Sequence, residues 1–152
     1  MKVFLQFILF LIVACLPAFI ATSCSQEDDI DEIFRGKSWK ITGACIRGTS
    51  LNGTDLKELY NYDNSYELVF VSNKINGILA PGSTFAGTWN ASGKNRSFSC
   101  TIDSYTNIDS STLSTDLFNI LLKCKEYKGD SNVLMLKADN ANYIRLTNVK
   151  GT

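Results

Sequence analysis

The 152-residue chain carries 15 basic and 15 acidic residues and no histidine, so it is formally neutral at pH 7. Neutrality without a basic stripe excludes the electrostatic footprint of a nucleic-acid binder. The missing histidine excludes Ser-His-Asp and Cys-His nucleophile activation, His-ligated zinc and the usual neutral-pH general base.

One cation, Lys2, precedes an apolar run from Val3 to Ile20 and the small residues Ala21-Thr22-Ser23. That order is the pattern of a cleaved export signal and assigns residues 1–23 to a signal peptide. An uncleaved span over the same run is the alternative, opposed by Pro17 within it. Cys24 follows the small residues and gives way at once to Ser25-Gln26-Glu27-Asp28-Asp29. The arrangement resembles a bacterial lipobox, which implies acylation at Cys24. Each buried methylene contributes about 0.8 kcal/mol, so several acyl chains make a nearly permanent membrane anchor. A second string, Ile12-Val13-Ala14-Cys15, would leave the greasy terminus Leu16-Pro17-Ala18-Phe19-Ile20, whereas the sequel to Cys24 stays solvated. Residues 24–33, with Glu27, Asp28, Asp29, Asp31 and Glu32, read as an acidic tether. The tether is similar to the export signal of Bacteroidota-type lipoproteins, and the resemblance implies an outer-membrane lipoprotein exposed at the cell surface.

Residues 34–152 suffice for one domain and not for two. A helical turn is expected from Ile30 to Phe34, ended by Gly36. From Ser38 to Cys45 the chain alternates, with Trp39, Ile41, Gly43 and Cys45 on one face of a strand. The connection 46–65 is rich in Gly, Asn, Thr and Ser and reads as a surface loop. Within it, Asp55-Leu56-Lys57-Glu58 resembles a capping box that opens a short helix through Tyr60. Tyr66 to Ser72 and Ile75 to Leu79 form an expected hairpin. Thr84 to Ala91, with Phe85, Gly87, Trp89 and Ala91 on one face, and Ser97 to Asp103, with Phe98, Cys100 and Ile102 inward, form a second.

After a polar loop over 104–114 the period changes. Leu113, Leu117, Ile120, Leu121 and Cys124 recur at helical spacing, predicting a helix over residues 114–126 with its N-cap at Ser114 or Thr115 and Lys123 and Lys125 in its last turn. Gly129-Asp130 closes it. Val133 to Ala138 and Tyr143 to Val149 make a final hairpin. The expected fold is all-β and mainly antiparallel, a small barrel or curled sheet of about seven strands whose open side the late helix covers.

Beyond Cys15 and Cys24, three cysteines remain: Cys45, Cys100 and Cys124. Their spacing points all three toward the core, where a free thiol behaves as a small hydrophobe; one disulfide plus one thiol is the alternative. No CxxC spacing occurs, so neither a metal nor a cofactor is expected. Neither a pair of carboxylates on one face nor a serine-lysine pair at helical spacing stands out, so no catalytic residue is expected either.

Phe34-Arg35-Gly36-Lys37-Ser38-Trp39-Lys40-Ile41 resembles the first-strand signature of lipocalins and fatty-acid-binding proteins. The resemblance implies that Arg145, on the last strand, packs on the face of Trp39. Tyr143 and Arg145 share one strand face and would clasp a carboxylate if both pointed inward. Trp89, with Phe85, Tyr105 and Tyr127, is a candidate glycan platform. The order of the early Trp strand, Gly77, Phe85-Ala86-Gly87-Thr88-Trp89, the helix and the closing hairpin is also similar to META domains of bacterial heat-shock lipoproteins. Both resemblances imply small envelope β-domains without catalysis. The expected function is that of a non-catalytic binding or accessory lipoprotein, contacting a protein or glycan through loops 46–65 and 104–114. The alternative is a lipocalin-like carrier of a small apolar or acidic ligand, with Trp39, Trp89, Tyr143 and Arg145 as its contacts.

Overall fold

Alternating burial builds most of this protein. A computed structural model describes residues 28–62 and 66–149, so the expected signal peptide, Cys24 and the first residues of the expected tether lie outside the described residues. The elements run α1 (Asp28–Ile33), β1 (Lys37–Ile46), β2 (Thr49–Asn52), α2 (Gly53–Tyr60), β3 (Glu67–Val71), β4 (Lys74–Ala80), β5 (Ser83–Ser92), β6 (Ser97–Thr106), a 3-10 turn (Ile108–Ser110), α3 (Thr112–Leu122), β7 (Glu126–Gly129), β8 (Val133–Lys137) and β9 (Tyr143–Asn148). Among the described residues, no helix is long and apolar enough to cross a membrane.

Strand β1 and strands β3 to β9 follow one another as antiparallel neighbours, and β9 returns to pair with β1, so eight strands close a barrel. The seam is narrowest between β6 and β7, where Ser97 and Glu126 are the one residue pair that joins the two strands. The ninth strand, β2, pairs with residues 43–46 of β1, beyond the stretch that pairs with β3. The sequence had suggested neither β2 nor β7. Each has four residues and buries one: Leu51 in β2, Tyr127 in β7.

A register slip between Ile41 and Gly43 changes which side of β1 faces in. Trp39 and Ile41 point inward before it, Ala44 and Ile46 after it. One inserted residue reverses side-chain parity. Cys45, expected on the Trp39 face, therefore lies on the opposite one, beside Ser50 of β2 and Tyr143 of β9. The Tyr62 hydroxyl donates to the Ile41 carbonyl at this bulge.

Both inner caps start earlier than expected. Ser111 caps α3: its hydroxyl accepts from Ser114 N (3.1 Å), and the Ser111 N–H donates to Ser114 Oγ (3.3 Å). Ser114 is thus the far member of the box, and the helix ends at Leu122, because Lys125 N–H already donates to the Lys137 carbonyl (2.8 Å) and joins the sheet. Asn52 likewise caps α2, accepting from Thr54 N (2.8 Å) and Asp55 N (3.2 Å), while Asp55 accepts from Asn52 N (2.9 Å). Much of the expected loop 46–65 is therefore β2 and α2, and β6 extends through the first part of 104–114.

The segment that precedes β1 and the helix inserted between β6 and β7 close the two ends of the barrel. At the end holding the β3–β4 and β5–β6 turns, Phe34 follows α1 and is wholly buried. Its ring stacks on Trp89 (5.0 Å between centroids) and Phe98 (5.6 Å), and meets Phe70 and Tyr127 edge-on at 5.2 and 5.1 Å. At the end holding the β4–β5 and β8–β9 turns, α3 packs against β4, β6, β8 and β9 with Leu113, Leu117 and Leu121 fully buried. The packed residues thus begin at Ile30 and Ile33, inside the segment that reads as a tether, and continue through Phe34.

Candidate functional site

Inside the barrel the two tryptophans are core. Trp39 is wholly buried and its indole N–H donates to the Ile33 carbonyl (3.1 Å). Trp89 packs among Phe34 and Phe70, and its indole N–H has no partner among the described residues. The expected aromatic platform is not assembled: Phe85, Trp89 and Tyr127 are buried, while Tyr105 is exposed and tilts against Phe118 at 5.4 Å.

Tyr143 and Arg145 do share a face, and it is the outer one. Ile144 and Leu146 take the inward positions of β9 and are wholly buried. Arg145 therefore does not reach Trp39, which pairs across the ladder with Asn148; the cation-π contact among the described residues is Arg96 over the Tyr127 ring, at 5.5 Å. The more apolar of two alternating sets goes inward, and Ile144 with Leu146 outweighs Tyr143 with Arg145.

The outer wall around this pair is built row by row. Ser50, Cys45 and Tyr143 stand side by side across β2, β1 and β9, and Asn52, Gly43 and Arg145 form the next row. The hydroxyls of Ser50 and Tyr143 meet at 3.2 Å across β1, which accounts for the burial of Cys45 between them. In the second row Gly43 contributes no side chain. A Cβ there would stand 2.9 Å from the Leu51 carbonyl oxygen and 3.5 Å from Arg145 Cβ, so the arginine stem runs close beside the bare backbone. The result is a groove of about 400 Å³ lined by Ser50, Asp55, Val133, Met135, Tyr143 and Arg145, among others.

Its electrostatics are unbalanced by one residue. Arg35 pairs with Asp31 (2.9 Å), Arg47 with Asp116 (2.6 Å) and Arg96 with Asp29 (3.7 Å). Arg145, exposed on the groove, has no ion pair or hydrogen bond among the described residues. Both of its cross-strand neighbours, Gly43 and Met135, are uncharged.

A second polar cluster lies at the α3 end. Arg47 has left-handed backbone (φ 51°) and donates through its N–H to Asn142 Oδ1 (3.1 Å), while its guanidinium reaches Asp116 Oδ1. Asn142 in turn donates to Asp139 (3.1 Å), and Gly48 N–H to the Ala141 carbonyl (2.8 Å). The β1–β2 turn, the β8–β9 turn and α3 are thereby clasped together beside a hollow of about 360 Å³. The sequence reading missed this cluster; its signal was an aspartate placed among the apolar positions of the late helix.

Cys45, Cys100 and Cys124 are all free thiols. Burial pushes the Cys100 thiol up to about 11, and its S–H donates to the Leu121 carbonyl (3.2 Å). Burial, aided by Cys100, also pushes Cys124 up. Thiols held in the neutral form are poor nucleophiles. Among the described residues, no group of three or more Cys, Asp or Glu side chains is placed to hold a metal ion.

Comparison with known proteins gives a family and a fold. A family model described as "Domain of unknown function (DUF4847)" matches residues 25–148. A crystal structure of a DUF4847 family protein from Bacteroides vulgatus ATCC 8482 superposes with a TM-score of 0.63 at 20% identity, covering 81% of this chain and 99% of that one. No curated protein matches the chain.

Proposed function

Because the chain belongs to the DUF4847 family, whose function is unknown, we propose that it is a tethered, non-catalytic binding domain, held on the outer membrane and exposed at the cell surface through acylated Cys24. The observation that carries this reading is a barrel stoppered at both ends by its own side chains, Phe34 at one and the leucines of α3 at the other. Contact with a partner then falls to the outer wall and the turns. The chain enters at the Phe34 end, so the β1–β2 and β8–β9 turns project from the opposite end, away from the anchor. Turns on a rigid barrel are favourable places for recognition.

The test is made on intact cells producing the full chain and a Cys24→Ala variant, with labelled palmitate followed into the protein and external protease applied. The reading expects label and external cleavage in the parent chain, and loss of both in the variant. An unlabelled parent chain overturns the anchor, and a protected one overturns the display.

A lipocalin-like carrier is the second reading, favoured by the up-and-down order of the eight barrel strands. It would require α3 or Phe34 to withdraw, since both stand where cargo would enter.

A further inference from the structure

We propose that the groove around Arg145 is a binding site for a small hydroxylated carboxylate, the chemistry shared by sugar acids and hydroxy acids. The inference rests on reading the domain as a binding module, and it does not depend on the anchor. Its starting point is an arginine whose fork is unused while every other arginine has an acidic partner. A planar guanidinium pairs best with a carboxylate, through two parallel hydrogen bonds. The stem runs beside Gly43, which positions the head along the groove.

The rest of the lining says what else the ligand carries. Ser50 and Tyr143 present a pair of hydroxyls that both donate and accept, 3.2 Å apart. Asp55 spends Oδ2 on the Asn52 N–H and has Oδ1 left to accept from a ligand hydroxyl. The same carboxylate repels a second negative charge, so a monoanion fits better than phosphate or sulfate. Val133 and Met135 offer apolar surface to the carbon skeleton. One carboxylate, several hydroxyls and a carbon face together describe a sugar acid better than a fatty acid or a neutral sugar.

The experiment uses the ¹⁵N-labelled full chain in detergent micelles, titrated separately with glucuronate, hexanoate, glucose and inorganic phosphate. The backbone amides of Gly43, Tyr143 and Arg145 report on the groove. Glucuronate is expected to shift all three saturably, and the other probes to bind at least about tenfold more weakly. Arg145→Gln is expected to weaken glucuronate by at least about tenfold, and Arg145→Lys to retain part of the binding, since the charge stays and the fork is lost. Near-ultraviolet circular dichroism from Trp39 and Trp89 checks that both variants stay folded; Arg35→Gln is the charge-matched control and should leave binding unchanged. No shift at these amides, equal response to hexanoate, glucose or phosphate, or glucuronate binding untouched by Arg145→Gln would each overturn the site. These failures leave the tethered-domain reading to its own surface-labelling test, and a failed labelling test leaves the titration unaffected.

Discussion

Arg47 Nη2 stands 2.6 Å from Asp116 Oδ1, so a cation on the β1–β2 turn reaches a carboxylate on α3 across the end of the barrel. The two partners are unequal: the Arg47 side chain is 72% exposed and that of Asp116 only 11%. The second carboxylate oxygen of Asp116 is buried without a partner among the described residues. Arg47→Ala would therefore strand a nearly buried charge. We expect a loss of about 1–2 kcal/mol in urea unfolding, held to that range by solvent screening of the exposed arginine. Adding Asp116→Asn should recover part of the loss; a double variant no better than Arg47→Ala would argue against the clasp.

Phe34 touches four aromatic rings and is wholly buried. Phe34→Ala should cost about 3–5 kcal/mol. Near-ultraviolet dichroism should lose the contribution of Trp89, which stacks on it, while far-ultraviolet signal is largely kept below the new melting temperature. A variant as stable as the parent would mean that α1 is not part of the core.

A Cβ at Gly77 would lie 2.1 Å from Phe85 Cε1 and 2.8 Å from Leu68 Cδ2. Phe85 is itself pinned by Phe118, with centroids 6.3 Å apart. Gly77→Ala is expected to destabilise by about 1–3 kcal/mol through overpacking. Phe85→Leu should relieve the clash, so the pair of substitutions should cost less than the sum of the singles. Strict additivity would place the cost elsewhere.

The thiols set an alkaline dependence. Cys100 is raised from 9.0 to about 11, and Cys124 is raised further by burial and by Cys100 beside it. Above pH 9 the unfolded chain gives up thiol protons that the folded chain keeps, so stability is unaffected below pH 9 and falls as pH rises through about 11. Replacing both by alanine should flatten that decline relative to the parent. In the native protein at pH 8, Ellman's reagent should react with Cys100 and Cys124 far more slowly than in denaturant; fast native reaction would show that the buried sites open readily.

The long strands and the late helix were legible because their periods are physical. Phe85 and Trp89 alternate with the small or polar Thr84, Ala86, Thr88 and Asn90 since one wall faces a core, and Leu113, Leu117 and Leu121 recur every turn for the same reason. β2 and β7 were not legible because a four-residue strand with one buried side chain has no period to display. The cap of α3, expected at Ser114 or Thr115, lies three or four residues earlier because Ser111 and Ser114 are both serines in one reciprocal box, and only geometry tells the first from the last. Tyr143 and Arg145 were rightly put on one face of β9. Which face was left open, although the all-aliphatic alternation of Ile144 and Leu146 carried the answer. The bulge that reverses Cys45 left no mark in composition.

The route by which the chain enters the barrel bears on how it answers a pull. Phe34 and the Trp39–Ile33 hydrogen bond tie the entering segment into the centre of the aromatic cluster. Val149 N–H bonds the Ser38 carbonyl (2.9 Å), so the last described strand stitches the same seam. Tension applied at Asp28 would pass straight into α1 and Phe34. It would load the ring cluster around Phe34 first, so that the entering segment acts as a mechanical lock that must shear before the barrel can unravel.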